Sequence, residues 1–182
     1  EQIRFLMDQG RLDPSHREYV DALERLTITL AAQFPTRNRC PVDPTHLAAI
    51  APSFNRFLYR TPCDRIPGGA LNPALDRSTI ETRYLSARPE VTFLDDFLKD
   101  ETLTTLRRFC LESTIWKKDY DNGYLGAFLG DGFATPLLLQ IAEELRLAFP
   151  SIFKQHRLTQ AWAFKQDNAR RGLSMHADAA AV

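Results

Sequence analysis

The sequence has no excess of charge, no long apolar run and few cysteines, and each absence excludes a class of protein. Lys+Arg and Asp+Glu both number 23 in 182 residues, so the formal net charge at pH 7 is zero. A neutral chain has no overall attraction for nucleic acid or for an anionic membrane, and we expect neither as a partner. No apolar run approaches the roughly 20 residues that a membrane-spanning helix needs.

The three cysteines, Cys40, Cys63 and Cys110, are odd in number and form no CxxC pair. This pattern fits reduced thiols in an intracellular protein better than a disulfide framework or a zinc site, and we expect a cytoplasmic location. The opening residues 1–4 lack the apolar segment of a signal peptide, and also an initiator methionine. We therefore expect the sequence to have been cut from a longer one.

Residues 1–60 predict a helical region. Asp13-Pro14 and Asp43-Pro44 each place a capping side chain before a proline at the first helical position, and Ser53 is expected to open a further helix. After Asp13, apolar residues recur at helical spacing until Pro35: Val20, Leu23, Leu26, Leu30 and Phe34. These helices predict either the end of a helical-repeat array or a helical extension packed on the next domain.

Residues 61–89 predict a linker or irregular loop, because residues 61–78 are rich in proline and glycine and lack periodicity. Residues 90–182 then predict mixed strands and helices, and so an α+β domain. The expected strands are 91–94, 114–120, 123–129, 158–165 and 173–182, with helices opening at Asp100 and at Thr135-Pro136. The expected inward residues of these helices are Leu103, Leu106 and Cys110, then Leu138, Ile141, Leu145 and Ala148.

His176 and Asp178 form a candidate metal site on the last predicted strand. Side chains two apart in a strand point to the same face, so the two would project together. A histidine and a carboxylate are two of the three ligands in the 2-His-1-carboxylate arrangement that binds non-haem Fe(II). The competing interpretation is a surface His-Asp pair without a metal.

The order of elements in residues 90–182, ending in LTQAWAFKQDNARRGLSMHADAAAV, resembles the N-terminal half of an Fe(II)- and 2-oxoglutarate-dependent oxygenase of the prolyl-4-hydroxylase-like group. The resemblance implies the first part of a double-stranded β-helix, or jelly roll, with His176 and Asp178 as iron ligands. It implies 2-oxoglutarate as co-substrate, ascorbate as a further cofactor, and contacts to 2-oxoglutarate from Gln166 and Asn168. The family commonly has a tyrosine eight to ten residues before the histidine, where this sequence has Gln166, Asp167 and Asn168.

The resemblance also implies a reaction and an extension of the chain. Asp178 stands where related halogenases have a small residue, which favours hydroxylation of a protein side chain, an amino acid or a small metabolite. The third iron ligand and the basic residue for 2-oxoglutarate are expected beyond Val182, so the sequence as given is expected to be inactive. His156 is a weak candidate for an internal third ligand. The alternatives are a non-catalytic protein-interaction module with a degenerate oxygenase scaffold, and a cupin-type metal enzyme that does not need 2-oxoglutarate.

Overall fold

The computed structural model describes residues 2–36, 40–121 and 123–166, which contain seven helices and three short strands. In chain order they are α1 (Gln2–Asp8), α2 (His16–Gln33), α3 (Pro44–Ile50), α4 (Arg77–Ser86), α5 (Asp100–Glu112), β1 (Lys118–Tyr120), β2 (Tyr124–Phe128), α6 (Pro136–Ala148), α7 (Pro150–Phe153) and β3 (Trp162–Gln166). The expected mixture of helices and strands is confirmed. No helix in these ranges has both the length and the apolarity to cross a membrane.

The described chain divides into two compact units. Unit 1 takes residues 2–61, 111–126 and 165–166 within the described ranges, and unit 2 takes 62–110 and 127–164. Helix α4 lies inside the stretch 61–89. The division of the chain at residues 60 and 89 stays a prediction.

The N-terminal helices of unit 1 confirm the helix start expected at Asp43, and they place the start expected at Asp13 two residues later. The side chain of Asp43 accepts the backbone N–H groups of Thr45 and His46, at 2.8 and 3.1 Å, and so caps α3 as expected. Helix α2 begins two residues after Pro14, because the Asp13 carboxylate accepts the N–H of Ser15 at 2.8 Å and holds a turn there. The helix expected at Ser53 is wrong, since this stretch consists of turns.

A hydrogen-bonded seam joins the end of the first helical segment to residues 113 and 114 within unit 1. The Oγ1 of Thr114 accepts the N–H groups of Leu58 and Tyr59, at 2.9 and 3.1 Å. Next to it, the Oγ of fully buried Ser113 accepts the N–H of Thr61 at 3.0 Å. The seam satisfies backbone donors that no helix or strand pairs.

Strands β1, β2 and β3 form one sheet in that order. β1 and β2 are antiparallel, with Lys118 opposite Gly126 and Tyr120 opposite Tyr124, whose rings stack at 4.3 Å between centroids. The expected pair of strands, with a turn between them, is confirmed, although β1 is shorter than predicted. Gly123 lies in this turn with φ 82°, a backbone conformation that glycine adopts without strain.

The core of unit 2 includes Phe109 of α5, Leu137 of α6 and Phe149, each at most 1% exposed. Phe109 packs against Phe133 with 6.4 Å between ring centroids. A cluster around Leu71 joins Ala148 and Phe149 to half-buried apolar residues of the surrounding helices and loops. Unit 2 therefore has an apolar core in which α6 takes part.

Two sequence-based details of unit 2 are wrong, and a third is confirmed in part. Leu103, expected to face inward, is 46% exposed, and its neighbour Thr102 is fully buried. On α6 the expected Ile141, Leu145 and Ala148 do pack in the core cluster, but Leu137 and Gln140 are buried as well. The strand expected at 91–94 is absent there, since this stretch has no regular structure, and the nearest pairing is a single bridge between Leu71 and Leu98.

Replacing Thr135 by alanine is expected to lower the free energy of unfolding by about 1 kcal/mol, the usual cost of removing such a cap. Thr135 is buried, and its Oγ1 accepts the N–H of Leu138 at 3.1 Å at the start of α6. Urea unfolding checks this, with Thr135→Ser as the control that keeps the hydroxyl and most of the stability. Equal losses in both variants would assign the effect to packing instead.

Candidate functional site

The structure describes one of the four predicted site residues. His176, Asp178 and Asn168 lie outside the described residues, and Gln166 is the last residue of β3, where it is exposed. Within residues 2–36, 40–121 and 123–166, no group of three or more His, Cys, Asp or Glu side chains is arranged to hold a metal ion. The metal site therefore stays a prediction from the sequence.

Strand β3 precedes the predicted ligands in the sequence, and contacts near its N-terminal end hold it against the residues around the end of β2. Ala161 accepts the N–H of Leu129 at 2.8 Å, directly after β2. The rings of Phe164 and Phe128 meet edge to face, with 6.3 Å between centroids. Trp162 and Phe164 are half-buried, whereas the strand ends in exposed polar residues. The aromatic half of β3 thus contributes to packing, and its polar end is accessible.

The most extensive buried polar cluster described in unit 2 joins α6 to the loop of residues 66–71, here called the PGG loop. Gln140 is only 3% exposed, and its amide pairs with both backbone groups of Ile66. Its Oε1 accepts the Ile66 N–H at 2.8 Å, and its Nε2 donates to the Ile66 carbonyl at 2.9 Å. The same Nε2 donates to Glu144 at 2.7 Å. One side chain of α6 therefore takes the place of a strand partner for the loop.

Glu144, one turn further along α6, completes this cluster. Its carboxylate accepts the N–H groups of Ala70 and Leu71, at 2.8 and 3.0 Å. Burial by itself raises the pKa of Glu144, but the hydrogen bonds from Leu71, Gln140 and Ala70 and the charge of Lys99 outweigh it, so the pKa is lowered. The ionised carboxylate is thus the form that holds the loop.

The glycines of the PGG loop allow this close approach. Gly69 has φ 96°, and a Cβ at this position would lie 3.4 Å from a carboxylate oxygen of Glu144. The carbonyl of the preceding Gly68 accepts a hydrogen bond from Lys99 Nζ at 2.7 Å. A side chain at position 69 would have a strained backbone and would be in van der Waals contact with Glu144.

The stabilisation from Glu144 is expected to be lost in acid. A carboxyl group whose pKa is lower in the folded than in the unfolded chain stabilises the fold above its unfolded pKa, about 4.3 for glutamate. That contribution declines as the pH falls through the folded pKa. Urea unfolding of wild type and Glu144→Gln from neutral pH to below pH 4 checks this: the difference in stability should shrink on acidification. A constant difference would contradict the role of the charge.

The cluster of Gln140 and Glu144 has a structural role. The carboxylate of Glu144 and the amide of Gln140 form hydrogen bonds with backbone groups of the PGG loop and with each other. Sequence reasoning missed both residues, although a Gln and a Glu four apart on a helix and a Gly-Gly pair were visible. The cluster supports the fold of unit 2 and supplies no reacting group.

Comparisons with protein-family models, curated proteins and solved structures find no match for this chain. The assignment of a function therefore rests on the residues of the chain itself.

Proposed function

We propose that this chain carries the first part of the catalytic domain of an Fe(II)- and 2-oxoglutarate-dependent dioxygenase that hydroxylates its substrate, built on a jelly-roll scaffold. The observation that carries the proposal is the His176-Ala177-Asp178 motif after the aromatic strand and polar loop that precede such motifs in this family. The α+β composition of the described residues is compatible with it.

The donor atoms of the motif suit ferrous iron. A neutral imidazole nitrogen from His176 and a carboxylate oxygen from Asp178 are ligands that non-haem Fe(II) sites use, and the carboxylate offsets part of the positive charge. When bound, the metal and 2-oxoglutarate supply the oxidising chemistry, and the protein supplies binding and orientation. The remaining ligand is proposed to lie beyond Val182.

The polar end of β3 is the proposed contribution of the described residues to co-substrate binding. Gln166 is exposed at the end of a strand whose aromatic half is anchored against β2. Its side-chain amide can donate a hydrogen bond to a carboxylate of 2-oxoglutarate, and Asn168 offers a second amide. A donor on an anchored strand is better oriented than one on a free loop.

Succinate formation from 2-oxoglutarate tests the proposal directly. The assay uses the protein with whatever sequence follows Val182, because the proposed third ligand lies there. We expect succinate only when Fe(II), 2-oxoglutarate and dioxygen are all present, even without the hydroxylated substrate. Tight Fe(II) binding without dependence on 2-oxoglutarate would favour a cupin-type metal enzyme instead.

The alternative, a non-catalytic interaction module, is favoured by one observation in unit 1. Large apolar side chains are exposed on its residues 2–61, including Ile28 at 71%, Phe54 at 54% and Leu47 at 45%. Where such side chains form one contiguous patch, they are typical of surfaces that bind another protein. Under this alternative no condition yields succinate, and substitutions at His176 and Asp178 leave the binding of a partner unchanged.

A further inference from the structure

A cavity of about 420 Å³ lies on the surface of unit 2, between the exposed side of α6 and the segment that follows α7. Leu139, Glu143 and Arg146 line it from α6. His156, Arg157 and Leu158 line it from the other side. Its volume falls within the roughly 300–1,000 Å³ typical of small-molecule sites.

The cavity carries an excess of positive charge. Its one carboxylate, Glu143, is paired with Arg65 at 3.0 Å. The side chains of Arg146 and Arg157 have no hydrogen-bond or ion-pair partner among the described residues. The Nδ1 of His156 is buried and also lacks a partner in the described part of the chain. Arg146 lies in the last turn of α6, where a cation offsets the helix dipole, but Arg157 has no such role.

The floor of the cavity is apolar. Leu139 and Leu158 are 50% and 40% exposed, although both line the concave surface. An apolar floor beside two unpaired guanidinium groups is complementary to a molecule that has an anionic group at one end and an apolar body at the other. Guanidinium groups bind carboxylates and phosphates through paired N–H donors, which gives both affinity and orientation.

We propose that this cavity binds a small organic anion, with its carboxylate or phosphate group on Arg146 and Arg157 and its apolar body on Leu139 and Leu158. The site uses neither His176 nor Asp178, and so it extends beyond the proposed oxygenase chemistry. It is independent of whether that chemistry is correct.

Calorimetric titration with 3-phenylpropionate and with phenyl phosphate tests the site, and neutral 3-phenylpropionamide serves as the uncharged probe. Loss of a hydrogen bond to a charged group weakens binding by about tenfold or more, and we expect this for Arg146→Ala and for Arg157→Ala. Arg107→Ala removes an exposed arginine of α5 that does not line the cavity, and it should bind like wild type. Thermal unfolding confirms that each variant folds.

A variant with the opposite expected sign separates binding from damage to the fold. Glu143→Gln removes the one carboxylate that lines the cavity, so it should strengthen binding of the anions. A preference for either anion supports the site and identifies the anionic group. The proposal is overturned if neither anion binds wild type, if the amide binds as tightly as the acid, or if both arginine variants bind like Arg107→Ala.

Discussion

The His176→Ala and Asp178→Ala variants are expected to lose at least about 100-fold of the 2-oxoglutarate-dependent formation of succinate. Substitution of residues that only orient a metal ligand typically costs 10–100-fold, so loss of a ligand itself should cost more. Both residues belong to the motif that carries the proposed function. The rate of succinate formation at saturating Fe(II) measures the effect.

His46→Ala is the matched control for this experiment. His46 lies on α3 with an exposed side chain that contacts Asp43, and it does not belong to the proposed motif, so its loss removes an imidazole of a different segment. His46→Ala should retain the wild-type rate. Equal activity in His176→Ala and His46→Ala would contradict the assignment of His176 as an iron ligand.

Gln166→Ala should raise the KM for 2-oxoglutarate more than it lowers kcat, since the proposed role of Gln166 is binding of the co-substrate.

The Gln140→Leu variant is expected to lower the free energy of unfolding by about 2–4 kcal/mol. Leucine keeps a similar volume, but it leaves the Ile66 N–H without the acceptor that it has at 2.8 Å. The Ile66 carbonyl loses its 2.9 Å donor and keeps only the longer hydrogen bond from the Gly69 N–H at 3.2 Å. A buried polar group left unpaired costs about 1–3 kcal/mol, and loss of a hydrogen bond to a charged group costs a similar amount. Glu144 also loses a donor. Urea unfolding of wild type and variant measures the loss.

Gln155→Leu is the matched control, because it makes the same change from glutamine to leucine at an exposed position. Gln155 is an exposed residue of the same unit, and the same change there should shift stability by at most about 0.5 kcal/mol, as is usual for surface positions. A loss at position 140 no larger than at position 155 would show that the PGG loop does not depend on the Gln140 amide. Gly69→Ala is a second test of the PGG loop: it should lower the free energy of unfolding, because alanine is strained at the positive φ of Gly69.

Helix starts were predictable because their signals are local. Asp43-Pro44 and Thr135-Pro136 place an oxygen acceptor and a proline where the first turn needs them, and α3 and α6 begin there. The helix start predicted at Asp13-Pro14 was two residues too early, since the same acceptor can close a turn before the helix. Local chemistry thus determines where a helix begins to within a few residues.

The buried face of each helix was less predictable, because polar side chains occupy core positions when the tertiary structure supplies partners. Thr102 replaces the expected Leu103 at the inner face of α5, and its hydroxyl donates to the Ala70 carbonyl at 2.9 Å. On α6, the buried Gln140 likewise donates to a loop carbonyl, that of Ile66. Apolar periodicity depends only on the helix's own sequence, so it cannot show that a loop packs on the helix and pairs with a polar side chain there.

The strand expected at 91–94 failed for a related reason. Val91, Thr92 and Phe93 have high strand propensity, yet Val91 and Phe93 are 65% and 77% exposed in an irregular segment. Strand propensity reflects packing against a neighbouring strand, and a single segment does not specify its partner. The strands around Gly123 were found because their partner is the next segment of the chain.

The candidate metal ligands could be proposed from the sequence because two residues on one predicted strand carry the pattern. The arginines of the cavity could not, since Arg146 and Arg157 lie on separate segments and only the packing of α6 against the chain after α7 brings them to one surface. In the sequence each resembles an ordinary exposed charge. Sites built from distant segments thus need the structure.

An anaerobic calorimetric titration of Fe(II) tests the central claim most directly. The full-length protein should bind one Fe(II) per chain. His176→Ala and Asp178→Ala should bind it at least about 100-fold more weakly, and His46→Ala should bind it like wild type. Equal Fe(II) affinity in wild type and in both ligand variants would contradict the assignment of His176 and Asp178 as iron ligands.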